Sequence, residues 1–203
     1  MIIFEQLRIS DAGDKMYINA HVNDADYFKD VYIESVTIMT SEKVSETTPE
    51  APTSNYIYKK TFDGSSKDVD LVLTALDFTR TWETTPKAMA FKEGDISNTL
   101  FFVYITCTGT VDSSVPCTMD EKTTLGVVFD ENMFYQKVMN NTRELLKDCC
   151  IPKEFIDLIL LWNAFKAAIE TEHFVAAISF YNMLFDGKSS NLIGTTKGCG
   201  CHG

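Results

Sequence analysis

The chain has 203 residues, 45% of them hydrophobic and 23% charged. That composition is globular and long enough to bury a sizeable core, which excludes collagen, coiled-coil rods and full disorder. The 18 basic and 29 acidic side chains leave a net charge of -11, which argues against nonspecific nucleic-acid binding and against docking on an anionic membrane. No apolar run reaches the roughly 18 residues that would suggest a membrane span. The opening segment lacks the basic stretch and apolar core of a secretory signal, so none is expected.

The acid is uneven. Residues 1–130 carry 11 basic and 21 acidic side chains, whereas residues 131–203 carry 7 and 8. This contrast predicts two structural units with different surroundings.

The first 130 residues read as strands. Ile3–Ile9 runs into the turn residues Ser10-Asp11-Ala12-Gly13-Asp14, and Lys15–Val22 then alternates. Met16, Ile18, Ala20 and Val22 fall on one face, and Tyr17, Asn19 and His21 on the other, which is a hairpin signal. Asn23–Asp30 is polar and reads as a loop, and Val31–Met39 as a β-branched strand. Thr40–Ser54 holds two prolines with several Thr and Glu. Its length predicts an exposed arm that orders against a partner. Strands are expected again at Asn55–Phe62 and Val69–Thr74, on either side of an Asp63-Gly64-Ser65-Ser66 turn. Residues 76–95 are mixed. Thr99–Cys107 is apolar on both faces and therefore predicts a central strand. A polar loop is expected over Thr108–Lys122 and a last strand over Thr124–Phe129. This succession of short strands predicts an antiparallel β-sandwich of the immunoglobulin-like type, without the antibody Cys…Trp…Cys signature.

At Asp130 the period changes from that of strands to that of helices. Asp130-Glu131-Asn132-Met133 opens a helix with acid at its positive end. Pro152 suits the first turn of a second helix over Lys153–Glu170. Thr171-Glu172-His173 reads as a tight connection and Phe174–Phe185 as a third helix. The fold class is thus α+β: a sandwich over 1–130, a three-helix segment over 131–187, and a flexible Gly/Cys-rich tail over 188–203.

The middle helix is apolar almost all round, so it needs cover from more than the sandwich, and a neighbouring subunit is the simplest source. Leu158, Leu161, Trp162 and Phe165 are the candidate interface. Trp162-x-x-Phe165 and Ala177-x-x-x-Tyr181 loosely echo a tetratricopeptide unit. No second copy follows, so the helical hairpin stands alone.

The tail residues Cys199, Cys201 and His202 are soft metal ligands, and Cys149 and Cys150 could complete a zinc set. C-x-C-H is not the usual C-x-x-C knuckle, however, and a glycine-rich terminus is more often loose or docked on a partner. Asp24, Asp26 and Asp30 lack the glycine and terminal Glu of a calcium loop, so they read as a solvated acidic loop. His21, His173 and Cys149 lie in no catalytic signature, and no phosphate-binding, nucleophile-elbow or zinc-protease motif occurs. No enzyme, cofactor or metal is expected, and the cysteines read as reduced thiols.

The opening MIIFEQLRISDAGDKMYINAHV, the segment NTLFFVYITCTG and the ending CGCHG resemble small virion proteins of crAss-like phages of gut Bacteroidales. Among these the chain is most similar to the ring proteins stacked between portal and tail. The resemblance spans most of the chain and implies a structural virion protein of the neck or tail, assembled in the bacterial host cytoplasm. It further implies a ring of copies, twelvefold, contacting adjacent ring, portal or tail proteins and lining part of the genome conduit. An acidic wall suits a conduit because it repels phosphate. Two alternatives are a Cys/His-tail metal-binding cytosolic protein of phage origin and a host-directed effector absent from virions.

Overall fold

The computed structural model describes residues 2–23, 28–43, 51–80, 82, 91, 92, 94–111, 122–133, 135, 136 and 153–185. The chain separates into two units, Met1–Asp130 and Glu131–Gly203. The strands of the first unit are β1 (Ile2–Ile9), β2 (Lys15–Val22), β3 (Phe28–Thr40), β4 (Tyr58–Thr61), β5 (Asp68–Thr74), β6 (Phe101–Val111) and β7 (Lys122–Val128). They form two antiparallel sheets, ordered β1-β2-β5 and β4-β3-β6-β7. This is the expected immunoglobulin-like sandwich arrangement.

The β1–β2 hairpin forms where the alternation predicts it. Ser10 organises the turn: its Oγ accepts from the backbone N–H of Asp14 and Lys15, both at 3.1 Å, and donates to Asp14 Oδ1 at 2.7 Å. Gly13 takes φ +73, a conformation that glycine adopts without steric cost. A Cβ at Gly13 would also collide with Ser97, whose hydroxyl donates to the Gly13 carbonyl at 3.0 Å. Met16, Ile18 and Ala20 on β2 are fully buried, as the period-two pattern requires.

The core lies between the sheets. From one side come Met16, Ile18, Val69 and Leu73, and from the other Ile33, Ile38, Val103 and Ile105. Where β1 approaches β7, Gly126 gives the room: a Cβ there would collide with Leu7 and Phe4. At the other end of the core Phe78 stacks on Phe101 with centroids 5.5 Å apart, and meets Phe91 and Tyr58 edge-on. Strand β6 is interior in its sheet, and every residue from Phe101 to Cys107 is buried, which bears out its reading as a central strand.

The strand limits differ from expectation in three places. Phe28–Asp30 is not loop but the start of β3, whose ladder with β6 continues to Phe28↔Val111. An antiparallel ladder satisfies backbone groups whatever the side chains, so polar Lys29 and Thr110 are accommodated. For the same reason β6 extends past Cys107, and β7 begins at Lys122 rather than Thr124. Strand β4 is shorter than Asn55–Phe62, because Asn55 has φ +63 and breaks the extended run. The stretch 76–95, which carries no clear period, supplies the core residues Phe78 and Phe91.

In the second unit residues 131–133 are helical, and α1 (Lys153–Glu170) and α2 (Phe174–Phe185) form a hairpin. Helix α1 ends in a Schellman motif. The His173 N–H donates to Ala168 O at 2.8 Å and the Glu172 N–H to Ile169 O at 3.1 Å, with Glu172 at φ +59. The chain then reverses directly into α2, where the Ala177 N–H donates to His173 O at 2.9 Å.

Three expected outcomes follow from this packing. Phe78→Ala removes a ring that touches three others and is expected to cost about 3–5 kcal/mol in urea melts. Glu172→Gly relieves a left-handed non-glycine residue and is expected to stabilise the hairpin by about 1 kcal/mol. The third concerns Tyr104, whose phenol burial pushes above its usual pKa. The folded state then holds that proton more tightly than the unfolded one. The resulting stability is present below the ordinary tyrosine pKa and is lost as pH rises through the raised value. Tyr104→Phe is therefore expected to move the alkaline unfolding midpoint to higher pH, read by circular dichroism.

Candidate assembly surfaces

Helix α1 has apolar residues on every side, so its partner helix cannot cover all of them. Phe165 is completely buried, 5.9 Å from the Tyr181 ring and 5.6 Å from the Trp162 ring. Ala168, Phe174, Ala177 and Leu184 complete the seam. Trp162 and Leu161 are half-buried, with Lys166 Nζ 5.7 Å from the indole centroid. Ile159 and Leu160 remain 45% and 59% exposed. The structure thus places Phe165 in the hairpin's own seam and Trp162 at its margin. The side chain of Leu158 lies outside the described residues. Nothing in the sequence distinguishes Ile159 and Leu160 from the other apolar residues of α1. Only the position of α2 shows which apolar residues of α1 it leaves uncovered.

The outer face of the β1-β2-β5 sheet has a different chemistry. The registers Ile3↔His21 and His21↔Asp68 line up the three strands at one end of the sheet. Glu5 lies 3.2 Å from His21 Nδ1, and Asp68, Asp70 and Val72 point outward with it. Arg8 and Lys15 stand at the opposite end, where the Arg8 guanidinium lies 4.7 Å from the Tyr17 centroid.

Cations lie over aromatic rings on both faces of β4 and in the segments beside it. The Ile57 N–H donates to Ile38 O, and Ile57 O accepts from the Thr79 N–H, both at 2.8 Å. These bonds hold residues 78–80 beside β4. Lys59 Nζ lies 6.0 Å from the Tyr56 centroid, and Lys60 Nζ 5.1 Å from that of Phe62. Lys43 Nζ lies 5.5 Å from the Trp82 centroid, and Arg80 4.6 Å from that of Phe91. Among the described residues Glu42 lies 3.9 Å from Arg80 Nε, and burial, with the Asp77 carboxylate adding to it, holds the Tyr58 phenol above its usual pKa.

The soft-ligand candidates Cys149, Cys150, Cys199, Cys201 and His202 lie outside the described residues, as do Asp24, Asp26 and the tail 188–203. Among the described residues no three His, Cys, Asp or Glu side chains are grouped to hold a metal ion. Also among them, no helix is long and apolar enough to cross a membrane. Cys107 is buried in β6.

These surfaces include an apolar helix face and an acidic sheet face, which is material for packing against other proteins. Comparison with known proteins agrees. Residues 2–202 match the family model described as Crassvirus tail hub protein A. The chain is also 29% identical to tail hub protein A of Bacteroides phage crAss001, over 98% of this chain and 99% of that protein. The expected likeness to crAss-like phage virion proteins is thereby borne out, and the chain belongs to the Crassvirus tail hub protein A family, a structural protein of the phage tail.

Proposed function

We propose that copies of this chain assemble into a closed ring, expected to be twelvefold, in the neck and tail between the portal and the distal tail, and that this ring forms part of the genome conduit. The observation that carries this reading is the uncovered apolar surface of α1. Ile159 and Leu160 stand in solvent on a helix whose opposite side is already packed. Adjacent exposed apolar residues on a chain of net charge -11 suit lateral contact with another protein better than contact with water. The acidic excess supports the conduit part of the proposal, since a negative wall does not hold DNA phosphate. The partners on this reading are the chain itself and adjacent ring, portal or tail proteins, with no base-specific DNA contact.

The test is assembly of the purified chain, followed by light scattering and negative-stain electron microscopy. The wild type is expected to form rings. The double variant I159S/L160S is expected to remain folded, because both side chains are exposed, and to run as a monomer. Trp162→Ala, at the margin of the seam, is expected to weaken both hairpin stability and assembly. A wild-type chain that stays monomeric at all concentrations overturns the ring. Rings formed normally by I159S/L160S overturn the role of this helix face.

A further inference from the structure

A closed ring joins each copy to its two neighbours through two different surfaces that complement each other. The β1-β2-β5 sheet carries one such surface in its backbone. One step beyond the pair His21↔Asp68, the Val22 N–H donates to Lys67 O at 2.9 Å. That bond sets the phase of the antiparallel ladder: residues 67, 69, 71 and 73 turn their backbone groups to β2, and 66, 68, 70, 72 and 74 turn theirs away. Both ends of this outer edge are used within the chain. Ser66 O accepts from the Ile33 N–H at 2.7 Å, and the Thr74 N–H donates to Asp77 Oδ2 at 2.7 Å. Between them the N–H and C=O groups of Asp68, Asp70 and Val72 have no partner among the described residues. We infer that residues 193–197 in the tail of a neighbouring copy add to this edge as an antiparallel strand, an inference that rests on the ring reading above.

Three observations carry it. The first is the open backbone edge itself. Sheet edges are ordinarily shortened, bulged or covered. Strand β4 has four residues, β1 has a bulge between Phe4 and Gln6, and β1 meets β7 at Gly126. Strand β5 has seven residues, and its register with β2 is unbroken. The second is its side chains. Asp68, Asp70 and Val72 lie exposed on the outer face, Val72 by 53%. The two carboxylates repel a second β5 edge and favour a strand with a cation at the matching position. The third is the tail sequence, which lies outside the described residues. Residues 187–203 hold Lys188, Lys197 and His202 and no Asp or Glu. Ile193, Thr195 and Lys197 are spaced by two, as Val72, Asp70 and Asp68 are in the reverse direction. An antiparallel strand sets the pairs Ile193↔Val72, Thr195↔Asp70 and Lys197↔Asp68: apolar on apolar, hydroxyl on carboxylate and ammonium on carboxylate. A parallel strand in the same place would set Ile193 against Asp68. From Phe185, the end of α2, to Ile193 the extended chain reaches on the order of 25 Å, long enough to cross from one copy to the next. Backbone pairing then supplies affinity and the alternate side chains supply the choice of strand.

The experiment follows backbone hydrogen exchange by mass spectrometry, and assembly by light scattering, on the full chain. It compares the wild type, D68K, K197D, D68K/K197D and T195P. In the wild type, assembly is expected to slow exchange in peptides covering 66–74 by about three amides, those of Asp68, Asp70 and Val72. In this register the Thr195 N–H faces β5. T195P removes that ladder donor and is expected to abolish the slowing and to raise the dissociation constant of assembly by about tenfold or more. D68K and K197D each set like charges opposite one another and are expected to weaken assembly severalfold at low salt. The double variant exchanges the signs of the pair and is expected to recover most of the loss. Asp68 is exposed, so the melt of D68K is expected to stay close to wild type, with D68N as the milder version where it does not. Exchange over 66–74 that assembly leaves unchanged, or a double variant no better than either single one, overturns the inference and leaves the ring standing. Slow exchange there that is already present in the dilute monomer and is lost in T195P puts the tail on its own copy and also overturns the inference. A wild type that stays monomeric overturns the ring reading, and the inference with it.

Discussion

The ladder between β3 and β6 runs from Phe28↔Val111 to Thr40↔Phe101, and the rest of the first unit is positioned by it. Its inner side chains, among them Ile33, Ile38, Val103 and Ile105, form one wall of the core. A slip of one residue would turn those side chains to the other face of the sheet. The ladder also fixes both flanking strands. Strand β4 pairs with β3 at Ile38↔Tyr58, and β7 pairs with β6 at Val103↔Gly126. That second pairing directs Gly126 inward, where Leu7 and Phe4 of β1 need the space.

The same pairing places the surfaces. Because β3 stops pairing at Thr40, Glu42 and Lys43 emerge beside the start of β4 and the segment around Arg80. Phe78, Phe91 and Phe101 pack together just beneath. These rings close the core, and Phe91 also seats the Arg80 guanidinium, 4.6 Å from its centroid. The acidic face is set independently by the β1–β2–β5 registers, which bring Glu5, His21 and Asp68 to one end of a sheet. A tail component built this way has a sandwich with an acidic sheet face and a helical hairpin with apolar residues to spare.

The hairpin in the second unit depends on its turn. A left-handed residue at Glu172 satisfies the last carbonyls of α1 and reverses the chain at once. The antiparallel α1 and α2 then bury Phe165 and Tyr181 against each other. The strain of a non-glycine residue there is small beside the seam it permits.

The elements themselves were legible in the sequence. Alternation placed β2 at Lys15–Val22, and helical spacing with a three-residue connection placed α1 and α2. The two-sided apolar run ending at Cys107 marked β6 as central, and the character of the crAss-like virion family could be read from the opening, middle and closing segments. These features are local, set by side-chain period and turn chemistry along a few residues. The structure alone decided where strands continue through polar residues such as Lys29 and Thr110, because there the cross-strand partner, not the side chain, stabilises the extended backbone. It also decided that Phe78 and Phe91, from a stretch with no period, belong to the core. In α1 it separated Phe165, enclosed by α2, from Ile159 and Leu160, which are not. The surface where Glu42 meets Arg80 is built from separate stretches of chain. Charge counted along a sequence cannot locate such a surface, because pairing between distant segments decides which side chains become neighbours.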